Sequence, residues 1–310
     1  MSHFTVMVIG ENVDNQLAPF HEFECTGQND QYVVDEDVTE EMQANIDAGD
    51  SIESALGYYG LEDKIVDDES KVDKVGDECP HKYGYAIVKD GKLIKAVNRT
   101  NPNRQWDWYQ IGGRWSGFLK LKEGAEGAHG ERSWMNRGQE NKTGYCDSAL
   151  KGAIDFEGMR QEDADRAAKL WDAAHVIIAG RTFQTWDQCK TEHTDAEGKI
   201  NFDAARDLYN AQEVVQDFRK ASCDKDSPFS WSASPSDFVQ TREEFIADAR
   251  ATAINTFALL KDGVWYEKGE MGWWGMSNDK MTDKEWAVKI GELIDGLSDE
   301  TPITIVDAHI

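Results

Sequence analysis

The chain begins and ends with a short apolar run that is rich in β-branched residues. Residues 4–9 have the sequence FTVMVI and stop at Gly10, and residues 301–310 have the sequence TPITIVDAHI. Such runs are typical of buried strands, because an isolated helix of this length would be too short to be stable. We therefore predict a core strand at the start and a terminal strand whose burial would make the C-terminus structurally important.

Two further segments carry the signal of a β-hairpin. Residues 85–97 (YAIVKDGKLIKAV) and 257–269 (FALLKDGVWYEKG) each place an Asp-Gly pair between two apolar stretches. An Asp-Gly pair readily adopts the positive φ angles that a two-residue hairpin turn requires. The sequence therefore predicts hairpins near 85–97 and 257–268.

Helical periodicity is concentrated in the second half of the chain. Four stretches have apolar residues at three- and four-residue spacings or a helix-capping signature: 158–174, 203–221, 238–252 and 283–295. Asp203 is a plausible N-cap for the second stretch, Ser236 or Asp237 for the third, and Thr282 with Glu285 forms a capping box for the last. The pattern predicts an α+β fold with mixed or antiparallel sheets and three to four packed helices in the C-terminal half.

The domain prediction combines these elements with a shift in charge and composition. We expect an acidic N-terminal α+β lobe with a Trp-rich basic segment over residues 1–150. A helix-rich C-terminal lobe, ending in the second hairpin and the last strand, would occupy residues 151–310. A chain of 310 residues is long enough for two such lobes.

The chain is strongly acidic, with 59 acidic and 33 basic residues and a formal net charge of −26. This charge repels nucleic-acid phosphates and anionic membranes, so we expect neither as a direct partner. Residues 11–78 hold 21 acidic and 3 basic side chains, whereas residues 81–122 hold 9 basic and 2 acidic ones. The acidic block is either a solvated surface or a face that engages a basic partner.

Several signals of location and chemistry are missing from the sequence. No apolar run approaches the roughly 18 residues of a membrane span, and the first residues lack a basic signal-peptide region, so we expect a cytoplasmic protein. Five widely spaced cysteines suggest reduced thiols rather than a disulfide framework. Cys79 and His81 have no second ligand pair at zinc-site spacing, so no metal is predicted. Phosphate-loop, hydrolase and metalloprotease motifs are absent too, which favours a protein that is not an enzyme and needs no cofactor.

The densest cluster of aromatic residues is WDWYQIGGRWSGF at 106–118. Strand alternation would place Trp106 and Trp108 on one face, and the Gly112–Gly113 pair would redirect Arg114. Arg beside aromatic rings is typical of an interface or of an anion pocket, but the rings could instead fill a core while Arg114 pairs with an acidic neighbour. An anion pocket here would suit an enzyme or sponge that acts on a small anionic or nucleotide ligand. A second cluster lies at 265–274. The candidate binding residues are Trp106, Trp108, Tyr109, Arg114, Trp115, Trp273 and Trp274.

One carboxylate and one imidazole lie two residues apart in the terminal run. Asp307 and His309 would face the same side of a strand. They could act as an acid/base pair, or they could be a surface or satisfied-core feature without chemistry. We assign them no catalytic role from sequence alone.

Three segments carry a resemblance to a phage-encoded family: the opening MSHFTVMVIGENVDNQLAPFHEFECTG, the WDWYQIGGRWSGF core, and the EKGEMGWWG and ITIVDAHI segments near the end. In size and acidity the chain also resembles the Gabija anti-defence family of phage accessory proteins. That resemblance implies a non-enzymatic inhibitor in the host bacterial cytoplasm. It would assemble as a homo-oligomer on a defence complex of a nuclease and a helicase-like partner and would block DNA engagement or cleavage.

Overall fold

The computed structural model describes residues 2–76, 78–135, 138–272 and 276–310, and they form an α+β fold, as predicted. The strands are His3–Ile9 (β1), Val34–Asp37 (β2), Ile65–Val66 (β3), Gly84–Lys89 (β4), Lys92–Thr100 (β5), Trp108–Gly113 (β6), Leu119–Lys120 (β7), Glu131–Arg132 (β8), Tyr145–Cys146 (β9), Ser148–Leu150 (β10), Ala258–Lys261 (β11), Val264–Glu267 (β12), Gly269–Met271 (β13), Ser277–Asp279 (β14) and Pro302–His309 (β15). The helices are Val13–Leu17 (α1), Thr39–Asp47 (α2), Ile52–Gly57 (α3), Phe156–Ile178 (α4), Trp186–Glu192 (α5), Phe202–Ala211 (α6), Glu213–Ser222 (α7), Arg242–Thr252 (α8) and Asp283–Asp295 (α9).

Both predicted hairpins are present. Strands β4 and β5 pair antiparallel around Asp90 and Gly91, whose φ angles are 49° and 72°. Strands β11 and β12 do the same around Asp262 and Gly263, with φ angles of 53° and 74°. Two consecutive positive φ angles define the turn that matches the natural twist of a hairpin.

The chain divides into two compact units, and their boundaries differ from the predicted lobes of 1–150 and 151–310. Unit 1 contains residues 1–154, 256–280 and 297–310, and unit 2 contains residues 155–255 and 281–296. The second hairpin and the last strand therefore belong to unit 1, because β11 and β15 both hydrogen-bond to β1. The sequence did not predict this pairing, because β11 and β15 are far from β1 along the chain.

The main sheet of unit 1 has seven strands in the order β12-β11-β1-β15-β6-β8, with β10 also paired to β15. Strand β1 runs parallel to β11 and antiparallel to β15, and β15 runs antiparallel to β6. The first and last strands of the chain are thus neighbours at the centre of this sheet. Six of the seven residues in β1 are buried, as are the central six of β15.

One face of this sheet is an apolar core. Alternate residues of β1, β15 and β11 pack with residues from the segment after β1, and the buried members of this cluster are Phe4, Val6, Val8, Leu17, Phe20, Trp106, Ala258, Leu260, Val306 and Ala308. Each fully buried aliphatic or aromatic side chain of this size contributes about 1.5–3 kcal/mol relative to exposure.

A smaller four-stranded sheet, in the order β2-β5-β4-β3, completes the larger elements of unit 1. Helices α2 and α3 cover it through an apolar cluster that includes Met42, Leu56, Leu61 and Ala96. Strand β2 forms one edge of the sheet, and all four of its residues are exposed.

Unit 2 is helical and has its own apolar core, centred on Phe218, Phe229 and Phe238. The predicted single helix over 203–221 is wrong in one respect, because it is two helices, α6 and α7, separated at Gln212. Gln212 has an extended backbone (φ −72°, ψ 129°), and its side-chain amide exchanges hydrogen bonds with the backbone of Gln184. This bridge stabilises the break although the apolar spacing continues through it.

The helix starts in unit 2 follow capping chemistry. Thr282 and Glu285 form the predicted capping box of α9. The predicted caps Ser236 and Asp237 lie instead in a 3₁₀ turn, and Thr241 caps α8. Asn201, rather than Asp203, caps α6. Within the described residues, no helix is long and apolar enough to cross a bilayer.

Candidate functional site

A row of polar side chains crosses the face of the main sheet opposite the apolar core. The antiparallel register places His3 directly opposite His309, and His309 directly opposite Trp108. One step further along the strands, Asp307 lies opposite Thr5 and Gln110. Because side chains alternate between faces, His3, His309 and Asp307 share one face while Phe4, Val306 and Ala308 share the other.

The first His–Asp pair links β1 to β15. The His3 Nδ1 atom lies 2.7 Å from the Asp307 Oδ1 atom, and the Asp307 side chain is fully buried. The second carboxylate oxygen of Asp307 accepts the backbone N–H of Arg114 at 2.9 Å. A buried carboxylate with two donors is satisfied, and it requires His3 to carry its proton on Nδ1. No described residue hydrogen-bonds the other ring nitrogen, Nε2.

The second His–Asp pair lies beside the first. The His309 Nδ1 atom is 2.6 Å from the Asp107 Oδ1 atom, and the backbone N–H of Asp107 donates to the carbonyl of His309. Here too the carboxylate fixes the Nδ1 proton, and Nε2 has no partner in the described part of the chain. The two imidazole centroids are 4.9 Å apart, with their planes at 72°. The Trp108 ring lies edge-on to the His3 ring, with the two ring centroids 6.2 Å apart.

The two glycines of the sequence motif are required by two buried carboxylates. Gly112 and Gly113 have φ angles of 75° and 52°, which favour glycine. A Cβ at Gly112 would overlap the Asp147 carboxylate, and one at Gly113 would overlap that of Asp307. Asp147 is fully buried and accepts hydrogen bonds from Ser116, Gly117 and Gly130. The pair therefore lets the backbone at the end of β6 pass close to these two acids.

The polar row opens into a cleft of about 530 Å³, which we call the histidine cleft. Its main lining residues are His3, Trp108, Arg114, Arg132, Trp134 and His309, and the carboxylates of Asp107 and Glu131 line it as well. Trp108 is 49 % exposed and Trp134 is 76 % exposed. Apolar rings are thus accessible next to charged and hydrogen-bonding groups.

The two arginines of the cleft are not neutralised by a carboxylate within the described residues. The exposed Arg114 guanidinium has no hydrogen-bond or ion-pair partner there, so the predicted alternative of an acidic neighbour is not what the fold provides. Arg132 donates to the Asn141 side chain and the Glu140 carbonyl, at 2.8 Å from one nitrogen. These neutral acceptors orient Arg132 without cancelling its charge.

The predicted placement of Trp106 and Trp108 on one face is wrong. Trp106 is only 4 % exposed, donates from Nε1 to the Leu17 carbonyl at 3.0 Å, and stacks on His21. Strand β6 begins only at Trp108, so the alternation does not extend back to Trp106. Tyr109 contacts Trp106 on the core face, with ring centroids 4.9 Å apart.

The remaining predicted site residues also differ in whether they line the histidine cleft. Arg114 and Trp108 line the histidine cleft, whereas the partly buried Trp115 does not. Trp273 and Trp274 lie outside the described residues.

Sequence reasoning missed His3, Asp107, Arg132 and Trp134. His3 borders the first apolar run and Asp107 lies within the aromatic motif, but their roles depend on the pairing of β1, β15 and β6, which is not readable from sequence.

The cysteines and the Cys79–His81 pair were the other residues considered for metal binding or thiol chemistry. The Cys79 and His81 side chains are both buried, and His81 Nδ1 accepts the backbone N–H of Asp73 at 3.0 Å. Among the described residues, no group of three or more His, Cys, Asp or Glu side chains is placed to hold a metal ion. All five cysteines are free thiols, and Cys223 is exposed.

Comparison with protein-family models, with curated proteins and with solved structures found no match to this chain. The resemblance to phage proteins therefore stays a prediction from the sequence. The residues of the histidine cleft carry the functional argument.

Proposed function

We propose that this protein binds a small anionic ligand with an aromatic ring and a phosphate group, such as a nucleotide, in the histidine cleft. The observation that carries the proposal is the pair of guanidinium groups, Arg114 and Arg132, without a carboxylate partner in the described chain and beside two exposed indole rings. The cleft also holds the carboxylates of Asp107 and Glu131, yet neither forms an ion pair with Arg114 or Arg132 among the described residues. Two arginines left without an ion pair in so acidic a protein need a reason.

The guanidinium groups suit a phosphate. Arginine presents a planar fork of donors that matches phosphate oxygens, and charge-assisted hydrogen bonds are stronger than neutral ones. Arg132 is already oriented by Asn141 and Glu140, which reduces the entropy lost on binding. Arg114 is free to close onto a ligand.

The indole rings suit a nucleobase. Stacking of a base on an aromatic side chain is worth about 1–3 kcal/mol by alanine substitution. Trp108 and Trp134 both line the cleft and both expose ring surface. The cleft volume of about 530 Å³ is within the usual range for small-molecule sites. Two aromatic rings and two arginines together favour a ligand with both a base and a phosphate over inorganic phosphate alone.

The test is isothermal titration calorimetry with AMP, adenosine and inorganic phosphate. We expect AMP to bind more tightly than either fragment. Arg114→Ala should weaken AMP binding by roughly 10- to 100-fold, since a hydrogen bond to a charged group is worth about 1.5–3 kcal/mol. Arg206→Ala is the matched control, because Arg206 is an exposed arginine of unit 2 paired with Asp203. Equal affinity of the Arg114 and Arg206 variants, or no heat with any nucleotide, would contradict the proposal.

A second candidate function is the one that the sequence favoured: inhibition of a bacterial defence complex by direct binding in the host cytoplasm. The exposed acidic edge strand β2 supports it, because Glu36 and Asp37 lie on an edge of the small sheet that a basic partner could pair with. Asp35 of the same strand is already ion-paired with Lys74 and Arg99. Affinity capture from bacteria that carry the nuclease and helicase-like complex would test it. Glu40 is an exposed acidic residue in the first turn of α2, which follows β2 in the chain. We expect Glu36→Lys with Glu40→Lys to abolish capture and phage protection. Light scattering would test the predicted homo-oligomer.

A further inference from the structure

We propose that His3 and His309 form a general acid–base pair that hydrolyses a phosphodiester bond of the ligand bound in the histidine cleft. This inference rests on the proposed nucleotide site and adds a reaction to it. It departs from the sequence-based expectation that the chain is not an enzyme. The geometry of the two His–Asp pairs motivates it.

Each imidazole is oriented by a carboxylate. Asp307 holds Nδ1 of His3 at 2.7 Å, and Asp107 holds Nδ1 of His309 at 2.6 Å. A carboxylate at Nδ1 fixes the tautomer and stabilises the imidazolium that forms when Nε2 takes a proton. Both Nε2 atoms lack a partner in the described chain, so both are available for proton transfer to or from a ligand.

The two imidazoles are also close enough to serve one phosphorus atom. They are direct cross-strand neighbours on β1 and β15, with centroids 4.9 Å apart and planes at 72°. A general acid or base must lie within hydrogen-bond reach of the proton it transfers. Rings at this separation and angle can address the attacking and leaving oxygens of the same phosphate. Two histidines that served only packing would not each need a dedicated carboxylate.

The carboxylates that orient the two histidines differ in their exposure to solvent, so His3 and His309 have different environments. The Asp307 side chain is fully buried and accepts a second hydrogen bond from the backbone of Arg114. The Asp107 side chain is 28 % exposed. Acid and base roles in paired sites are commonly separated by such a difference in environment.

The reaction balances with water as the only co-reactant. The neutral imidazole takes a proton from water, and the water oxygen forms a bond to phosphorus. The bond from phosphorus to the ester oxygen breaks, and the imidazolium of the other histidine donates its proton to that oxygen. The products are a phosphomonoester and an alcohol, and proton exchange with solvent restores both imidazoles. Arg114 and Arg132 stabilise the negative charge on the non-bridging oxygens.

The test uses two phosphodiesters that differ in their leaving group: bis(4-nitrophenyl) phosphate and thymidylyl-(3′→5′)-thymidine. We expect the whole chain to cleave both. On the dinucleotide, His3→Asn and His309→Asn should each lower the rate by roughly 100-fold or more. Nitrophenolate leaves without a proton, whereas the sugar alkoxide needs one. The variant that lacks the acid should therefore lose much more activity on the dinucleotide than on the nitrophenyl ester.

Three controls keep the outcome interpretable. His193→Asn changes a histidine of unit 2 outside the cleft and should keep the wild-type rate. Asp107→Asn tests a positioning residue that is partly exposed, and it should lower kcat at unchanged KM. Calorimetry with AMP on each variant shows whether the cleft still binds.

The results separate this inference from the proposed function. If the wild-type chain binds AMP but cleaves neither diester, the acid–base pair is overturned while the binding site stands. If cleavage occurs but both histidine variants keep the wild-type rate, the inference is also overturned. If no nucleotide binds and nothing is cleaved, both proposals fail.

Discussion

The two faces of the central sheet are built from the same strands, yet they have opposite chemistry. Phe4, Val306 and Ala308 face an apolar core, whereas His3, at a neighbouring position of β1, lines the histidine cleft. The buried Asp307 of β15 lies on the same face as His3 and hydrogen-bonds it. The polar face is tolerated because its buried carboxylate is fully hydrogen-bonded. The comparison shows that a deeply buried strand can present a functional group if every polar atom beside it is satisfied.

Trp106 and Trp108 show the same contrast within one motif. They are separated by one residue, but Trp106 is 4 % exposed and Trp108 is 49 % exposed. Asp107, between them, hydrogen-bonds His309 through both its backbone and its side chain. The change of face is thus fixed at the residue that also orients the cleft histidine. A dense aromatic motif can therefore supply both a core and a binding site.

The largest expected effect separates these two tryptophans. Trp106→Ala should reduce the free energy of unfolding by about 4 kcal/mol, because it leaves a cavity and removes the hydrogen bond to the Leu17 carbonyl. Trp108→Ala should cost below about 1 kcal/mol in stability and should instead weaken AMP binding. Urea denaturation of both variants measures the difference. Equal losses of stability would contradict the division between the faces.

Substitution in the Gly112–Gly113 pair, which lies against the buried carboxylates, should reduce the free energy of unfolding almost as much. Gly113→Ala places a methyl group against the Asp307 carboxylate and requires a left-handed backbone, so we expect a loss of about 3 kcal/mol. Gly124→Ala is the matched control. It has a φ of 74° but open space around its Cβ, so it should cost about 1 kcal/mol from the backbone alone. Similar losses of stability for the two variants would mean that the Asp307 carboxylate does not lie against Gly113.

The edge of the apolar face offers a smaller, pH-dependent test. Burial and then the hydrogen bond to Asp14 raise the pKa of Tyr109 well above its usual value near 10. The folded-state pKa of Tyr109 is higher than its unfolded-state pKa. The stabilisation that the Tyr109 hydroxyl gives the fold is therefore complete below about pH 10 and is lost as the pH rises further. Tyr109→Phe should cost about 1 kcal/mol at neutral pH. Thermal unfolding at pH 8 to 11 would show the wild-type advantage shrinking only above the unfolded-state pKa, and a constant advantage would contradict it.

The smallest effect concerns the thiol beside the second buried acid. Burial and then the neighbouring Asp147 charge raise the pKa of the Cys146 thiol to about 11. It should not react with an aromatic disulfide reagent at pH 8, since the thiolate is the reactive form. Cys223 is exposed and should react rapidly. Cys223→Ser should remove the fast phase, and a fast phase that persists would show that at least one of the four buried thiols is accessible to the reagent.

Much of the fold was predictable because local patterns decided it. The apolar end runs became β1 and β15, both Asp-Gly pairs became hairpin turns, and Thr282 with Glu285 capped α9. The break at Gln212 was not predictable, because its side chain bonds to a residue 28 positions away. Pairing between strands 300 residues apart likewise leaves no local trace.

The cleft was predictable only in part. Asp307 and His309 were correctly placed on one strand face, and Arg114 was recognised as a candidate for binding an anion. His3 and Asp107 were missed because their roles follow from the β1–β15–β6 register, and Arg132 and Trp134 because their segment carries no motif. The sequence favoured a binder that is not an enzyme, whereas the paired histidines motivate a catalytic proposal.

The most direct test of the central claim is thermal unfolding of the wild-type chain and of Arg114→Ala, each with and without saturating AMP. A ligand that binds only the folded state stabilises it by about 2.7 kcal/mol at 100 times its Kd. We expect both proteins to unfold at the same temperature without ligand, because the exposed Arg114 guanidinium has no partner in the described chain. With AMP at 100 times the wild-type Kd, the variant should gain only about 0.4 to 1.4 kcal/mol, because its Kd should be roughly 10- to 100-fold weaker. Equal stabilisation of both, or of neither, would contradict the assignment of the histidine cleft as a nucleotide site.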